Sequence, residues 1–174
     1  MINYKRIIEA VLFGSNRPLS IEWLSKTLEI KNKTIKEIIA KLKEEYDKEE
    51  RSFQIVEVAQ GFQICTLPIY ADWLKKITKR GKEERLSPAA LESLSIIAYR
   101  QPVSRADIEI IRGVEVGGIL RLLLEKELIK IAGRKQTLGR PLLYRTTTYF
   151  LQYFGLRSLR ELPQLKVKDQ KEKE

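Results

Sequence analysis

Histidine is absent from the 174 residues, and cysteine and methionine occur once each. The missing imidazole removes the commonest general base, the commonest metal ligand and every Ser-His or Cys-His nucleophile pair. Cys65 has no second cysteine with which to close a disulfide, and its place in an apparent strand reads as a small packed thiol. Long apolar runs are also lacking. Met1 to Ala10 carries Lys5, Arg6 and Glu9, a stretch that reads as neither signal peptide nor membrane span, so the expected compartment is the cytoplasm. Glycines do not build a phosphate loop: Gly133 and Gly139 are followed by Arg140-Pro141, the wrong spacing for a Walker motif. Gly113, Gly117 and Gly118 follow no strand, which excludes a dinucleotide fingerprint. The acidic cluster Glu44, Glu45, Glu49 and Glu50 fits a solvated helix end. A protein without catalytic residues, cofactor or metal is expected.

Charge is present in excess of one sign. The formal net charge is +10, which points toward an anionic partner. Lys75 to Arg85 holds six basic and two acidic residues, a net +4, and Lys130 to Arg145 holds five basic and no acidic ones, a net +5. These two patches carry nearly all of the excess. Phosphate contact without base readout fits such a distribution, and so does a merely basic solvated surface.

The stretch from Leu86 to Tyr144 predicts three short helices and a hairpin. Ser87-Pro88 supplies an N-cap with proline in the first turn, and Pro102 forbids continuation beyond Arg100. Ser104 with Asp107 is a capping-box pattern, and Gly113 can close that helix in a left-handed conformation. Val116, Ile119, Leu120, Leu123 and Leu124 set one apolar helical face. Ile129 and Ile131 then alternate with Lys130, a polar turn runs from Gly133 to Pro141, and Leu142 to Thr146 returns as the partner strand. The third helix, VEVGGILRLLLEKE, has Arg121 and Lys126 outnumbered by Glu115, Glu125 and Glu127. That composition disfavours major-groove readout.

The first half repeats the order. Tyr4 to Phe13 reads as an amphipathic helix, Ser20 caps a second helix with Trp23 and Leu24, and a third carries Ile35, Ile39, Leu42 and Tyr46. Phe53 to Val58 and Phe62 to Thr66 read as a hairpin joined at Ala59-Gln60-Gly61, with glycine in the turn. Tyr70 to Ile77 follows as a closing helix. Residues 7 to 20 lie on residues 91 to 104 without a gap, and Pro18 with Pro102 and Ser20 with Ser104 fix an offset of 84, so a duplicated domain is expected. The predicted fold is mainly α with small β hairpins, an α+β arrangement of two tandem winged helix-turn-helix domains. Its expected divisions are a first domain over 1–78, a linker over 79–86, a second domain over 87–163 and a charged tail over 164–174. The aromatic stretch Tyr149 to Phe154 either faces a partner or packs back on its own helices.

The segments LSPAALESLSIIAYRQPVSRADIEIIRGV, LRLLLEKELIKIAGRKQTLGRPLLYRTT and FLQYFGLRSLRELP, with EAVLFGSNRPLS and FQIVEVAQGFQICTLP in the first half, resemble the bacterial segregation and condensation protein B family. Two places depart from the family pattern: Glu115-Val116-Gly117 before the third helix, and Arg145 where glycine commonly precedes the paired threonines. The resemblance implies a non-enzymatic accessory subunit of the SMC complex, nucleoid-associated, that forms a homodimer through its first winged helix. It further implies that the dimer binds the kleisin subunit and, through the kleisin, the SMC ATPase. On that footing Tyr99, Arg100, Gln101, Arg105, Arg112, Arg134, Arg140 and Tyr144 are the expected kleisin-facing residues, and Ile2, Leu12, Phe13 and Trp23 the expected dimer contacts. Weak nonspecific DNA contact is compatible with the same surface. A winged-helix DNA-binding regulator is the alternative, and an adaptor unrelated to SMC complexes stays open as a third class.

Overall fold

The structure is a computed structural model that describes residues 3–78 and 85–164. The first half runs α1 (Tyr4–Gly14), α2 (Ile21–Leu28), α3 (Asn32–Lys48), β1 (Phe53–Val58), β2 (Gly61–Thr66) and α4 (Ala71–Thr78). The second runs α5 (Pro88–Arg100), β3 (Val103–Ser104), α6 (Arg105–Arg112), α7 (Gly117–Glu125), β4 (Ile129–Arg134), β5 (Leu142–Thr146) and α8 (Thr148–Tyr153). Both halves thus carry three helices and a wing, the winged-helix order. The expected linker and tail fall, apart from their first or last few residues, outside the described residues, as does Lys79 to Glu84 of the first basic patch.

Local chemistry sets the boundaries. Ser20 Oγ accepts from Trp23 N at 3.1 Å, and Ser104 Oγ accepts from Asp107 N at 3.3 Å, the side-chain caps that start α2 and α6. The offset of 84 relates both pairs. It also relates Leu19 to Val103: Leu19 forms a bridge with Phe62, while Val103 pairs with Tyr144 in the sheet order β3-β5-β4. The second wing therefore has a short third strand and the first a single bridge at the matching position, both too brief to betray themselves by alternation. Gly113 closes α6 at φ 69°, the left-handed cap expected of it.

Apolar periodicity becomes two cores. Ile8, Leu12, Leu24, Ile35, Ile39 and Leu42 form the first, each at most 2% exposed. Leu94, Ile97, Ile108, Val116, Leu123 and Leu128 form the heart of the second. Burying one such side chain stabilises by about 1.5–3 kcal/mol, which fixes how the three helices of each half meet.

Two details of the first half differ from the sequence expectation. The hairpin turn consists of Ala59 and Gln60, both at positive φ (49° and 62°), while Gly61 lies in β2 opposite Val58. Glycine stands there for space, because an added Cβ would lie 2.8 Å from the backbone of Leu19. The second difference is α4, which covers no core: Ile69, Trp73 and Ile77 around it are 74%, 64% and 76% exposed.

The first hairpin also reaches the second half. Ala59 N donates to Leu156 O at 2.8 Å and Gln60 N to Arg157 O at 3.0 Å. Val58 and Ala59 are buried in the second core.

Candidate partner-binding surfaces

On α6 the capping box is complete: Ser104 Oγ donates to Asp107 Oδ2 at 2.6 Å and Ser104 N to the same oxygen at 3.2 Å. Lys135, from the turn between β4 and β5, reaches both Asp107 oxygens at 3.3 Å. These bonds, the Ser104 hydroxyl first, hold the Asp107 carboxyl below the usual carboxylate range. Glu109 is lowered too, first by Val116 N at 3.0 Å and then by Arg105 Nε at 2.7 Å on its Oε1. The two carboxylates tie the N-terminus of α6 to the wing and its middle to the start of α7.

Because both folded values are depressed, their contribution to stability is complete above the ordinary carboxylate range near pH 4 and is lost as pH falls through the lower folded values. Urea midpoints should therefore drop with pH below about 4, and Asp107→Asn should reduce that slope. An unchanged slope in the variant would remove Asp107 from the account.

Several expected kleisin-facing residues are engaged within the second half. Arg112 donates to Ala89 O at 2.7 Å and to Ser93 Oγ at 3.1 Å, and pairs with Glu92 at 3.0 Å. Gln101 Oε1 accepts from Thr146 N and Oγ1 at 2.8 and 2.9 Å. Tyr144 is buried, Arg134 Nη1 donates to Arg140 O at 3.1 Å, and Tyr99 Oη donates to Pro163 O at 2.6 Å. Arg100, Arg105, Arg134 and Arg140 are exposed. The set does not converge on one point: Tyr99 lines an apolar groove of about 290 Å³ with Leu91, Phe154, Leu162 and Pro163, whereas Arg105 lies on α6 and Arg134 and Arg140 near the wing turn.

The stretch Tyr149 to Phe154 divides between the two readings left open. Phe150 and Leu151 are buried, while Tyr149, Tyr153 and Phe154 are 45%, 50% and 41% exposed, so one face packs and the other is available. Sequence spacing did not single out Ile110, Ile111 and Val114, yet they stand 80%, 53% and 55% exposed at the end of α6. The signal was there in the surplus of apolar residues over one helical face.

Of the expected dimer contacts, Ile2 lies outside the described residues. Leu12 is 1% exposed and is taken up in the first core. Phe13 is 75% exposed beside a shallow hollow lined by Arg6, Glu9 and Tyr46, and Trp23 is 43% exposed on α2. Tyr46 Oη donates to Glu9 Oε1 at 2.9 Å, and burial followed by that carboxylate raises its pKa. Cys65 is half-buried, and burial pushes its thiol up, away from a reactive thiolate. Among the described residues there is no cluster of three metal-ligating side chains, and no helix is long and apolar enough to cross a membrane.

Known proteins share this sequence over most of its length. Segregation and condensation protein B of Syntrophotalea carbinolica is 46% identical over 165 residues, covering 95% of this chain and 83% of that protein. A crystal structure of ScpB from Mycobacterium tuberculosis is 29% identical, covers 87% of this chain and 94% of that one, and superposes with a TM-score of 0.43. A crystal structure of a dimer of the ScpB N-terminal domain complexed with ScpA peptide is 33% identical, covers 42% of this chain and 93% of that one, and has a TM-score of 0.40. The sequence model of the segregation and condensation complex subunit ScpB matches residues 6–165. With the match running from α1 to the end of the second half, the chain belongs to the ScpB family of segregation and condensation complex subunits.

Proposed function

We propose that the protein is a non-enzymatic accessory subunit of a bacterial SMC condensin-like complex, cytoplasmic and nucleoid-associated. As a homodimer it binds the kleisin subunit, the ScpA partner, and supports chromosome condensation and segregation. The observation that carries this reading is the family match across residues 6–165. The chain divides by function at the linker: residues 1–78 pair two copies, residues 87–163 hold the kleisin, and 164–174 form a tail without an assigned role.

The exposed chemistry supports this division. Phe13, Trp23 and the apolar side chains around α4 give the first domain more exposed apolar surface than a lone half-chain of this size needs. On the second domain, Tyr99, Arg100, Arg105, Arg134 and Arg140 form the kleisin-facing surface, while Gln101, Arg112 and Tyr144 shape it from within. Ile110, Ile111 and Val114 add apolar anchors of the kind a partner helix uses. The mechanism is binding alone. Ordering a flexible kleisin segment biases how the ATPase heads engage, with the free energy of binding coupled to that equilibrium.

Size-exclusion chromatography with light scattering, on the protein alone and with the central kleisin segment of the same organism, tests the proposal. A dimer that takes up the segment is expected, and the combined Ile110→Ser/Arg105→Ala variant should bind it about tenfold more weakly. A well-folded monomer that ignores the segment but discriminates between duplex sequences would instead support the DNA-binding regulator.

A further inference from the structure

Between the second wing and the turn that follows α8 lies a cleft of about 390 Å³ whose charged lining is entirely cationic. Lys130 on β4 and Arg145 on β5 are register partners, so the pleat places both on the same face of the wing, and Arg160 faces them from the Leu159–Glu161 turn. No carboxylate lines the cleft. Four other cations of this half have a carboxylate partner: Arg105 pairs with Glu109, Arg112 with Glu92, Lys135 with Asp107 and Arg157 with Glu161. Lys130, Arg145 and Arg160 have no ion pair among the described residues. Like charges directly opposite on neighbouring strands destabilise a sheet, and a third cation across a concave surface focuses the positive potential further.

We infer that this cleft is a subsite for the acidic side chains of a bound polypeptide segment. The inference rests on the reading that the protein binds such a partner, and it locates the contact at a place the expected kleisin-facing residues do not include. Thr148 and Ser158 line the cleft beside the three cations and carry hydroxyl groups able to donate, and charge-assisted bonds from such groups to a carboxylate are the strong kind. Leu151 and Leu159 supply apolar wall for the neighbouring residues of a peptide. A duplex backbone is a convex rod that calls for a row of cations along a surface, whereas these three converge on a recess. Gln60, at the tip of the first hairpin, also lines the cleft. A peptide lodged there touches both halves at the place where they meet.

Two measurements on the full chain separate the subsite from the function it serves. In the first, amide NMR follows titration with the blocked peptide acetyl-Leu-Glu-Glu-Leu-amide and with its Gln-Gln counterpart. The expected shifts centre on Lys130, Arg145, Thr148, Ser158 and Arg160 for the acidic peptide alone, and vanish in Arg145→Gln/Arg160→Gln with the rest of the spectrum native. Equal shifts from both peptides, or shifts from short duplex DNA with the acidic peptide silent, overturn the inference. In the second, affinity for the kleisin segment is measured against salt. The double variant should bind about tenfold more weakly at low ionic strength and with a shallower salt dependence. If the natural protein binds the segment and the variant binds it equally well, the subsite falls and the proposed function stands. If the natural protein ignores the segment while the acidic-peptide shifts hold, the proposed function falls and the subsite stands.

Discussion

Gly61→Ala should destabilise the first half by roughly 2–4 kcal/mol, although a single methyl is added and the turn itself is untouched. The Cβ would lie 2.8 Å from both C and O of Leu19 and 3.0 Å from its N, all backbone atoms. No side chain can swing aside to relieve this. Leu19 must retreat, and with it go the two bonds that bridge it to Phe62, each 2.9 Å long. A typical net worth of about 1 kcal/mol per bond adds to the disturbed packing of Leu19, which is 6% exposed in the first core. Both tryptophans, Trp23 and Trp73, belong to the first half, so urea denaturation followed by tryptophan fluorescence reads the change where it happens. Gly14→Ala is the control: nothing lies within 4 Å of its added Cβ, and its midpoint should hold or rise. Equal midpoints for Gly61→Ala and the natural protein would show that Leu19 can yield.

Ala59→Lys should release the first hairpin from the second half while leaving both cores folded. Ala59 is 6% exposed among apolar residues, and an ammonium cannot stay there without a partner except at a cost of several kcal/mol, on the order of 3 or more. Undocking is the cheaper escape, because it gives up two backbone hydrogen bonds and the burial of Val58 and Ala59. The amide protons of Ala59 and Gln60 should then exchange about 100-fold faster, with those of α3 and α7 unchanged. Ala59→Gly provides the counterpart, since glycine suits the positive φ at that position and should keep the dock. Protection that survives the lysine would mean that the hairpin tip is held by something other than these contacts.

Helix boundaries were legible because their causes are local. Ser20, Ser87 and Ser104 each cap the helix that follows through a bond to an amide three residues on, and Gly113 adopts the left-handed cap. The fixed offset between the halves was legible for the same reason and extends to the bridge at Leu19 and the strand at Val103. The purpose of Gly61 was not legible. Glycine beside a hairpin reads as a turn residue, and only the approach of Leu19, forty-two places earlier, shows that space is what it provides. Docking of Ala59 on Leu156 is hidden for a similar reason, since no local pattern marks a pair so far apart in the chain.

The candidate surfaces were half legible. Spacing can say which residues exceed the needs of a core, but not which polar groups are used to close the fold. Arg112 is drawn inward to Ala89 O and Glu92, and Gln101 is occupied by Thr146, while Ile110 and Ile111 are the apolar surplus that α6 leaves exposed. Lys130 and Arg145 stood out as charge, yet their partnership with Arg160 needed the turn after α8 to bring the third cation round.

The docked hairpin breaks the equivalence of the two similarly ordered halves. The tip of the first wing is consumed within its own chain, whereas at the tip of the second Leu138 stands fully in solvent. Two copies joined through their first halves would therefore present one free wing apiece. In each copy the first wing is spent on joining the two halves of its own chain, and the second is left for contact outside it.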